Sequence, residues 1–191
     1  MSNDSWYDEA AKTVRILQLI VGAMLAGASI FLVVALTFGP QVKPPGLTLP
    51  IPLALVAFLA VVIGIITVTV VLWNISRKAR GEIIDGTYQP VDWRQRIGSL
   101  PPDVAHEPLD PCRDAKYILS VFHYRTMVSV AAFEGWAFLA TTAYLVEGAP
   151  LSLGLAVLLV LGVAAHFPTQ SRAIAWVERQ MEILQQERIM Q

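Results

Sequence analysis

The chain has 191 residues, of which 55% are hydrophobic and 15% are charged, and its formal net charge is −1. Soluble domains carry about 25% charged residues, and a near-neutral chain has no electrostatic basis for binding nucleic acid. The single cysteine, Cys112, excludes an internal disulfide. The apolar residues come in long blocks, which indicates a membrane protein with the lipid bilayer as its partner.

The first apolar block, Val14 to Phe38, follows a polar N-terminal segment, residues 1–13. A cleaved signal peptide has a basic leader and a shorter apolar run that ends in a cleavage site, so we predict that this block is a retained span. About 20 residues are enough to cross the hydrocarbon core. Three small residues in the block, Gly22, Ala26 and Gly27, belong to a small-xxx-small pattern that lets helices pack closely.

A second apolar block, residues 49–73, completes a first transmembrane hairpin, residues 14–73. Residues 74–124 then form a predicted cytoplasmic loop whose two ends continue the flanking helices. The proline-rich centre of the loop is expected to be functional or mobile, as long loops without regular structure usually are. Its acidic and histidine-containing stretch, residues 103–110, lacks metal-ligand spacing, so no metal is expected there and no cofactor elsewhere.

The second transmembrane hairpin is predicted over residues 125–167, where a less pure apolar block is followed by a short, uncharged one. Pro168 should end the last span, and Thr169 should cap a new helix. We predict that residues 168–191 form an amphipathic helix, because its apolar residues recur every three or four positions. Its mixed charge favours packing under the bundle or pairing with another copy over lying on the membrane. This stripe consists of Ile174, Val177, Met181 and Leu184.

The distribution of basic residues predicts the orientation of these spans. Thirteen of the 14 Lys and Arg residues fall on one side, including Arg15 and Arg125 at the inner interface, and only Lys43 falls on the other. The positive-inside rule therefore places both termini and residues 74–124 in the cytoplasm. The predicted fold is an all-α polytopic membrane protein with four transmembrane helices in two hairpins of parallel orientation, followed by the amphipathic cytoplasmic helix.

The strongest candidate for a functional residue is Glu134, an acid within the third apolar block. It comes nine residues after Arg125, about 13 Å along a helix and hence near the midplane. A charge at that depth costs about 2.5–3.5 kcal/mol on insertion scales, so Glu134 should face other helices. Two interpretations stay open: a structural acid hydrogen-bonded to a neighbouring helix, and a proton or cation site.

Two further residues complete a candidate intramembrane polar site. Thr141 lies two helical turns after Glu134 on the same face, and His166 ends the fourth span at about the level of Met127. A histidine there could extend a proton path to the cytoplasm, although such residues more often end a span in the headgroup zone. No catalytic motif is recognisable, so we predict that the protein is not an enzyme.

Residues 124–172 carry the pattern "YR…FEGWAFLATTAYLVEG" followed by "FPTQSR". This pattern resembles that of a group of small uncharacterised bacterial inner-membrane proteins, which have an early Arg and a Glu-Gly pair in the third span and Pro-Thr after the fourth. The resemblance implies a bacterial inner-membrane location with four spans. It brings no activity with it.

The plan of two hairpins with an intramembrane acid is also distantly similar to the proteolipid rotor subunits of rotary ATPases. In those subunits the ion-binding carboxylate lies in the second helix of a hairpin, after a glycine-rich first helix. Here Glu134 lies in the first helix of its hairpin, and span one has no long alternating glycine run. The sequence therefore favours a structural or accessory subunit that self-associates or partners another membrane protein, with a small transporter or channel as the alternative.

Overall fold

The computed structural model describes residues 4–39, 52–85 and 111–190. These residues form five α-helices and no strand, which confirms the predicted all-α class. The helices are α1 (Asp4–Phe38), α2 (Leu53–Ile84), α3 (Pro111–Glu147), α4 (Pro150–Ala165) and α5 (Gln170–Ile189).

Three of the helices, α1, α2 and α3, are long and apolar enough to cross a membrane. They contain 35, 32 and 37 residues, so at about 1.5 Å per residue each exceeds a hydrocarbon core of about 30 Å. With 16 residues, α4 is shorter, and it adds a fourth candidate span only when it is counted together with α5 after a bend. The described residues thus carry three to four candidate spans.

The predicted loop between the hairpins is helical at both ends. α2 continues to Ile84 and α3 begins at Pro111, as expected from the helix-forming ends of the loop. Its proline-rich centre and the stretch 103–110 lie outside the described residues, and so does Lys43 of the predicted external turn.

The turn between α3 and α4 is built from local backbone chemistry. Gly148 has a φ of 67°, a conformation that costs other residues a steric clash of Cβ, and its N–H donates to the carbonyl of Tyr144 at 2.7 Å. Pro150 is the first residue of α4, where the missing N–H of proline costs nothing and its fixed φ favours a helix. α3 and α4 are therefore joined by a turn of only two residues, Gly148 and Ala149.

A second break separates α4 from α5 around Pro168. Thr169 is the N-cap of α5, and its side chain accepts a hydrogen bond from the Arg172 N–H at 3.4 Å. The carbonyl of Pro168 accepts a hydrogen bond from Gln18 Nε2 on α1 at 3.0 Å. The helix therefore restarts where the Pro-Thr pair predicts, and α1 satisfies one of the backbone groups that the break frees.

The helices divide their residues between two compact units. The first, which we call the charged unit, consists of Met1–Ile16, Leu72–Arg125 and Thr169–Gln191, and the second, the apolar unit, of Leu17–Val71 and Thr126–Pro168. All described Lys and Arg residues belong to the charged unit. Among its described residues, the apolar unit carries two acids, Glu134 and Glu147, and no basic residue apart from His166.

The charged unit has a hydrophobic core to which four helices contribute. The buried side chains of this core are Trp6, Ala10, Ile83, Ala115, Ile118, Leu119, Val177 and Leu184. The apolar stripe of α5 thus supplies Val177 and Leu184, while Ile174 and Met181 pack against the same cluster. Burial of an apolar face explains why α5 is a helix although its sequence is largely polar.

The apolar unit packs mainly through small and branched residues. Its two clusters of buried residues are Val61, Ala137, Ala140, Ala156 and Leu159, and Val21, Val130 and Val163. The outer faces of its helices expose many large apolar side chains, such as Leu19 on α1 and Ile63 on α2, which are 76% and 62% exposed. A surface of this composition is suited to lipid rather than to water.

Candidate functional site

Glu134 lies on α3 within the apolar unit and faces α1. Its side chain is half-buried, and the Oε1 atom is 3.8 Å from the position that a Cβ on Gly27 would occupy. Gly27 has no side chain, so the carboxyl group can approach the backbone of α1 closely. The structure therefore pairs one of the predicted packing residues with the predicted acid.

The carboxyl group of Glu134 has no polar partner among the described residues of the chain. No hydrogen bond or ion pair joins it to another described group. A structural role for Glu134 predicts a hydrogen-bond partner on a neighbouring helix, and none is found within the described part of this chain. An acid surrounded by apolar groups is stabilised by a hydrogen bond, and the described residues supply none to Glu134.

Thr141 does not contribute its hydroxyl group to Glu134. Its side chain is buried, and Oγ1 donates to the carbonyl of Ala137 on its own helix at 2.7 Å. This bond satisfies the hydroxyl group locally, as is common for Thr in apolar helices. Other hydroxyl groups of the apolar unit are bonded in the same way, namely those of Thr37, Thr67, Thr69 and Thr142.

His166 ends α4 and is exposed. Its Nδ1 lies 2.8 Å from the carbonyl oxygen of Gly162 on the same helix, and its ring centroid lies 4.9 Å from that of Phe133. The ring of Phe133 belongs to a residue six positions after Met127, the level on α3 that the sequence predicts for His166. Long side chains on a helix point back toward its N-terminus, which brings the Phe133 ring to the end of α4.

The predicted polar site is not assembled as one group of contacts. Glu134 faces Gly27, while Thr141 and His166 each bond to a carbonyl of their own helix. A proton path needs successive polar groups within hydrogen-bond reach of one another. The described side chains provide Glu134 as a single acid and no chain of such groups.

The three predicted packing residues of α1, Gly22, Ala26 and Gly27, do not pack against other helices as a set. Nothing lies within 4 Å of a Cβ built on Gly22, and Ala26 is exposed. The buried face of α1 within the apolar unit instead carries Leu17, Val21, Ala28 and Ala35. Their spacing of four and seven follows a heptad-like stripe, whose side chains fill the interface better than glycine does.

The close helix contacts at glycine occur at two positions that the sequence analysis did not select. A Cβ on Gly64 of α2 would lie 2.0 Å from the Trp136 ring, and one on Gly162 of α4 would lie 2.8 Å from the Phe133 ring. Both aromatic residues are on α3. Gly64 forms a small-xxx-small pair with Ala60, whereas Gly162 has no small residue four positions away. Each glycine accommodates a ring rather than a second backbone.

Glu147 has a structural role that the sequence analysis missed. Its carboxylate accepts hydrogen bonds from the first N–H groups of α2, those of Leu53 and Ala54, the latter at 2.9 Å. The first N–H groups of a helix have no partner within the helix, and the helix dipole favours a negative charge beside them. Glu147 thereby caps α2 from the end of α3.

Arg15 and Arg125, both predicted at the inner interface, have different environments. Arg15 is exposed, whereas Arg125 is half-buried in the charged unit. Arg125 donates a hydrogen bond from one terminal nitrogen to Ser76 Oγ at 2.6 Å, and its guanidinium group lies 5.4 Å from the centre of the Trp176 ring. It therefore joins α2, α3 and α5.

Further polar contacts connect the four helices of the charged unit. Arg80 of α2 bonds to Gln180 at 3.1 Å and pairs with Glu187 at 3.5 Å, both on α5. α1 is joined to α3 and to α5 by two contacts, Glu9 with Lys116 at 3.0 Å and Tyr7 with Glu178 at 3.4 Å. This unit thus combines an apolar core with a rim of ion pairs, as water-exposed helices do.

No protein-family model, no curated protein and no solved structure matches this chain. The resemblance of residues 124–172 to small bacterial inner-membrane proteins stays a prediction. Function is therefore inferred from the geometry of Glu134 and of the charged unit.

Proposed function

We propose that this chain is an integral protein of the bacterial inner membrane that acts as a structural or accessory subunit and self-associates. The association surface is the face of the apolar unit that carries Gly27 and Glu134. The observation that carries the proposal is Glu134, a half-buried acid whose carboxyl group has no polar partner among the described residues. A second copy supplies that partner.

The small residues of α1 support a close approach at this surface. Gly27 and Ala26 are exposed, and Gly22 has open space where a side chain would be. In lipid, helices associate by packing and by interhelical hydrogen bonds, and small residues let their backbones come close. A carbonyl or carboxyl group of a second copy can then reach Glu134.

The orientation that we propose has both termini in the cytoplasm. Support comes from the basic residues, because every described Lys and Arg lies in the charged unit, which contains both ends of the described chain. The positive-inside rule assigns such a unit to the cytoplasmic side. Reporter fusions at Gln191 and within 90–111 should read cytoplasmic, whereas a periplasmic reading at Gln191 would contradict the orientation.

Two substitutions at one position test the role of Glu134. Glu134→Gln keeps the size and the hydrogen-bonding capacity, whereas Glu134→Leu removes both polar atoms. We expect a self-associated wild-type protein in detergent, an unchanged Gln variant, and a Leu variant whose association is weaker by about 1–2 kcal/mol, the usual worth of one interhelical hydrogen bond. Light scattering across a range of detergent concentrations measures the dissociation constant.

Thr142→Val is the matched control, because Thr142 is a polar residue of the same helix in the apolar unit whose hydroxyl group bonds to its own helix. It should leave the dissociation constant unchanged. A monomeric wild-type protein, or equal association of the Leu variant and the wild type, would refute the proposed surface. A Gln variant that assembles normally but loses pH-dependent ion movement in liposomes would favour the alternative function, a small transporter or channel, over a structural subunit.

A further inference from the structure

Arg125 is a half-buried cation for which the described residues provide no anion. Its contacts are the Ser76 hydroxyl group and the face of Trp176, and no ion pair joins it to a described acid. Arg80 lies close enough to act on it as a second positive charge. Arg80 is itself balanced by Glu187, so the uncompensated charge is that of Arg125.

The guanidinium group of Arg125 has unused hydrogen-bonding capacity. It carries five N–H donors in a planar fork, and among the described residues it donates one hydrogen bond, to Ser76. The guanidinium group lies over the face of the Trp176 ring, which helps to fix the orientation of the fork. A fixed fork with free donors matches two oxygen atoms of a phosphate or carboxylate group.

The position of Arg125 along its helix indicates where such an anion would come from. Arg125 is the last residue of α3 in the charged unit, and Ser76 comes five residues, about 7 Å, after the last residue of α2 in the apolar unit. Nearby on α2, the exposed Trp73 ring lies 5.5 Å from the Arg77 guanidinium group. Tryptophan and basic side chains meet in this way at the headgroup level of a bilayer.

We propose that Arg125, held by Ser76 and Trp176, binds the phosphate of an anionic phospholipid headgroup. Basic pockets between helices at the cytoplasmic membrane surface bind such headgroups. The lipid supplies the negative charge that Arg125 lacks and offsets its repulsion by Arg80. This inference depends on the proposed membrane location and is independent of self-association through Glu134.

Full-length protein in nonionic detergent provides the test. Short-chain phosphatidylglycerol, short-chain phosphatidylcholine and sodium phosphate are titrated separately, and the melting temperature gives an apparent dissociation constant for each. We expect phosphatidylglycerol to stabilise the wild type and to bind Arg125→Gln at least about tenfold more weakly, the effect of losing one charge-assisted hydrogen bond. Phosphatidylcholine and sodium phosphate should have little effect at the same concentrations.

Arg15→Gln is the matched control, since Arg15 is the same residue type and lies two residues before the apolar unit on α1, but is exposed. It should weaken binding by less than about fivefold, the general effect of one basic residue near an anionic surface. Equal losses in the two variants, or equal stabilisation by phosphatidylcholine, would overturn the site. Equal stabilisation by sodium phosphate would assign Arg125 to free phosphate instead of lipid.

If Arg125→Gln does not fold, native mass spectrometry of the wild type still decides the question. We expect phosphatidylglycerol to stay bound to the wild-type protein in preference to phosphatidylcholine from an equal mixture. Retention of both lipids in equal amounts, or of neither, would refute the proposal.

Discussion

The apolar unit and the charged unit hold their helices together by different means. In the apolar unit, threonine hydroxyl groups bond to their own helix, as Thr141 does, and the helices meet through small and branched side chains. In the charged unit, side chains of different helices bond to each other around a buried core, as Arg80 does with Glu187. In water, burial of apolar area drives association, whereas in lipid the helices depend on the fit of their surfaces.

The largest effect is expected from removing apolar volume in the charged unit. Leu184 of α5 is 1% exposed and belongs to its core. Leu184→Ala should lower the free energy of unfolding by about 2–5 kcal/mol, because it leaves a cavity as well as removing buried area. Chemical denaturation in detergent measures the loss. Ile189→Ala, at a side chain that is 84% exposed on the same helix, should change little, and equal losses would show that α5 is not docked by its stripe.

In the apolar unit the corresponding perturbation is to add volume rather than to remove it. Gly64→Ala would place a Cβ 2.0 Å from the Trp136 ring, and overpacking of this kind costs about 1–3 kcal/mol. Gly154→Ala, where nothing lies within 4 Å of the added Cβ, should stabilise its helix slightly. Melting temperatures of the two variants in the same detergent give the comparison. A Gly64→Ala protein as stable as Gly154→Ala would mean that Trp136 moves aside freely.

A smaller effect should follow from removing a polar contact between helices in the apolar unit. Glu147→Ala deletes the carboxylate that caps α2 and should cost about 1 kcal/mol, as the loss of a helix cap does. Thr142→Ala removes a hydroxyl group that bonds to its own helix and should cost less. Thermal unfolding of the two variants measures the stability that each one loses. A larger loss of stability for Thr142→Ala would contradict the capping role.

The smallest effect concerns the pH dependence of the charged unit. Tyr117, outside the predicted span of α3, donates to Glu82, and burial together with that carboxylate raises the pKa of Tyr117 to about 12. The folded protein keeps this proton longer than the unfolded chain, so the stabilisation is complete below about pH 10 and is lost as the pH rises toward 12.

Because Tyr117 is partly exposed, solvent screening should keep this contribution below about 1 kcal/mol. Between about pH 9 and about pH 11, the melting temperature of the wild type should fall further than that of Tyr117→Phe. Equal falls would show that the Tyr117 proton does not contribute to stability. Lys116 and the other basic residues are common to both proteins, so they do not affect the comparison.

The sequence alone determined the helical class, the approximate limits of the apolar segments and the break at Pro168. These features depend on local properties: the length of an apolar run, the backbone of Gly148 and the N-cap of Thr169 all act within a few residues. The apolar stripe of α5 was also readable, because helical periodicity places Val177 and Leu184 on one face whatever they contact.

Only the tertiary structure decided which residues meet. Glu134 lies against Gly27, Glu147 caps a helix that begins 94 residues earlier, and Arg125 bonds to Ser76 across 49 residues. A single sequence shows a carboxylate, a glycine or an arginine. Which residue each of them contacts depends on the rotation of one helix against another. That rotation is the outcome of packing over the whole interface, in which α1 buries its stripe from Leu17 to Ala35 and leaves Gly22 open.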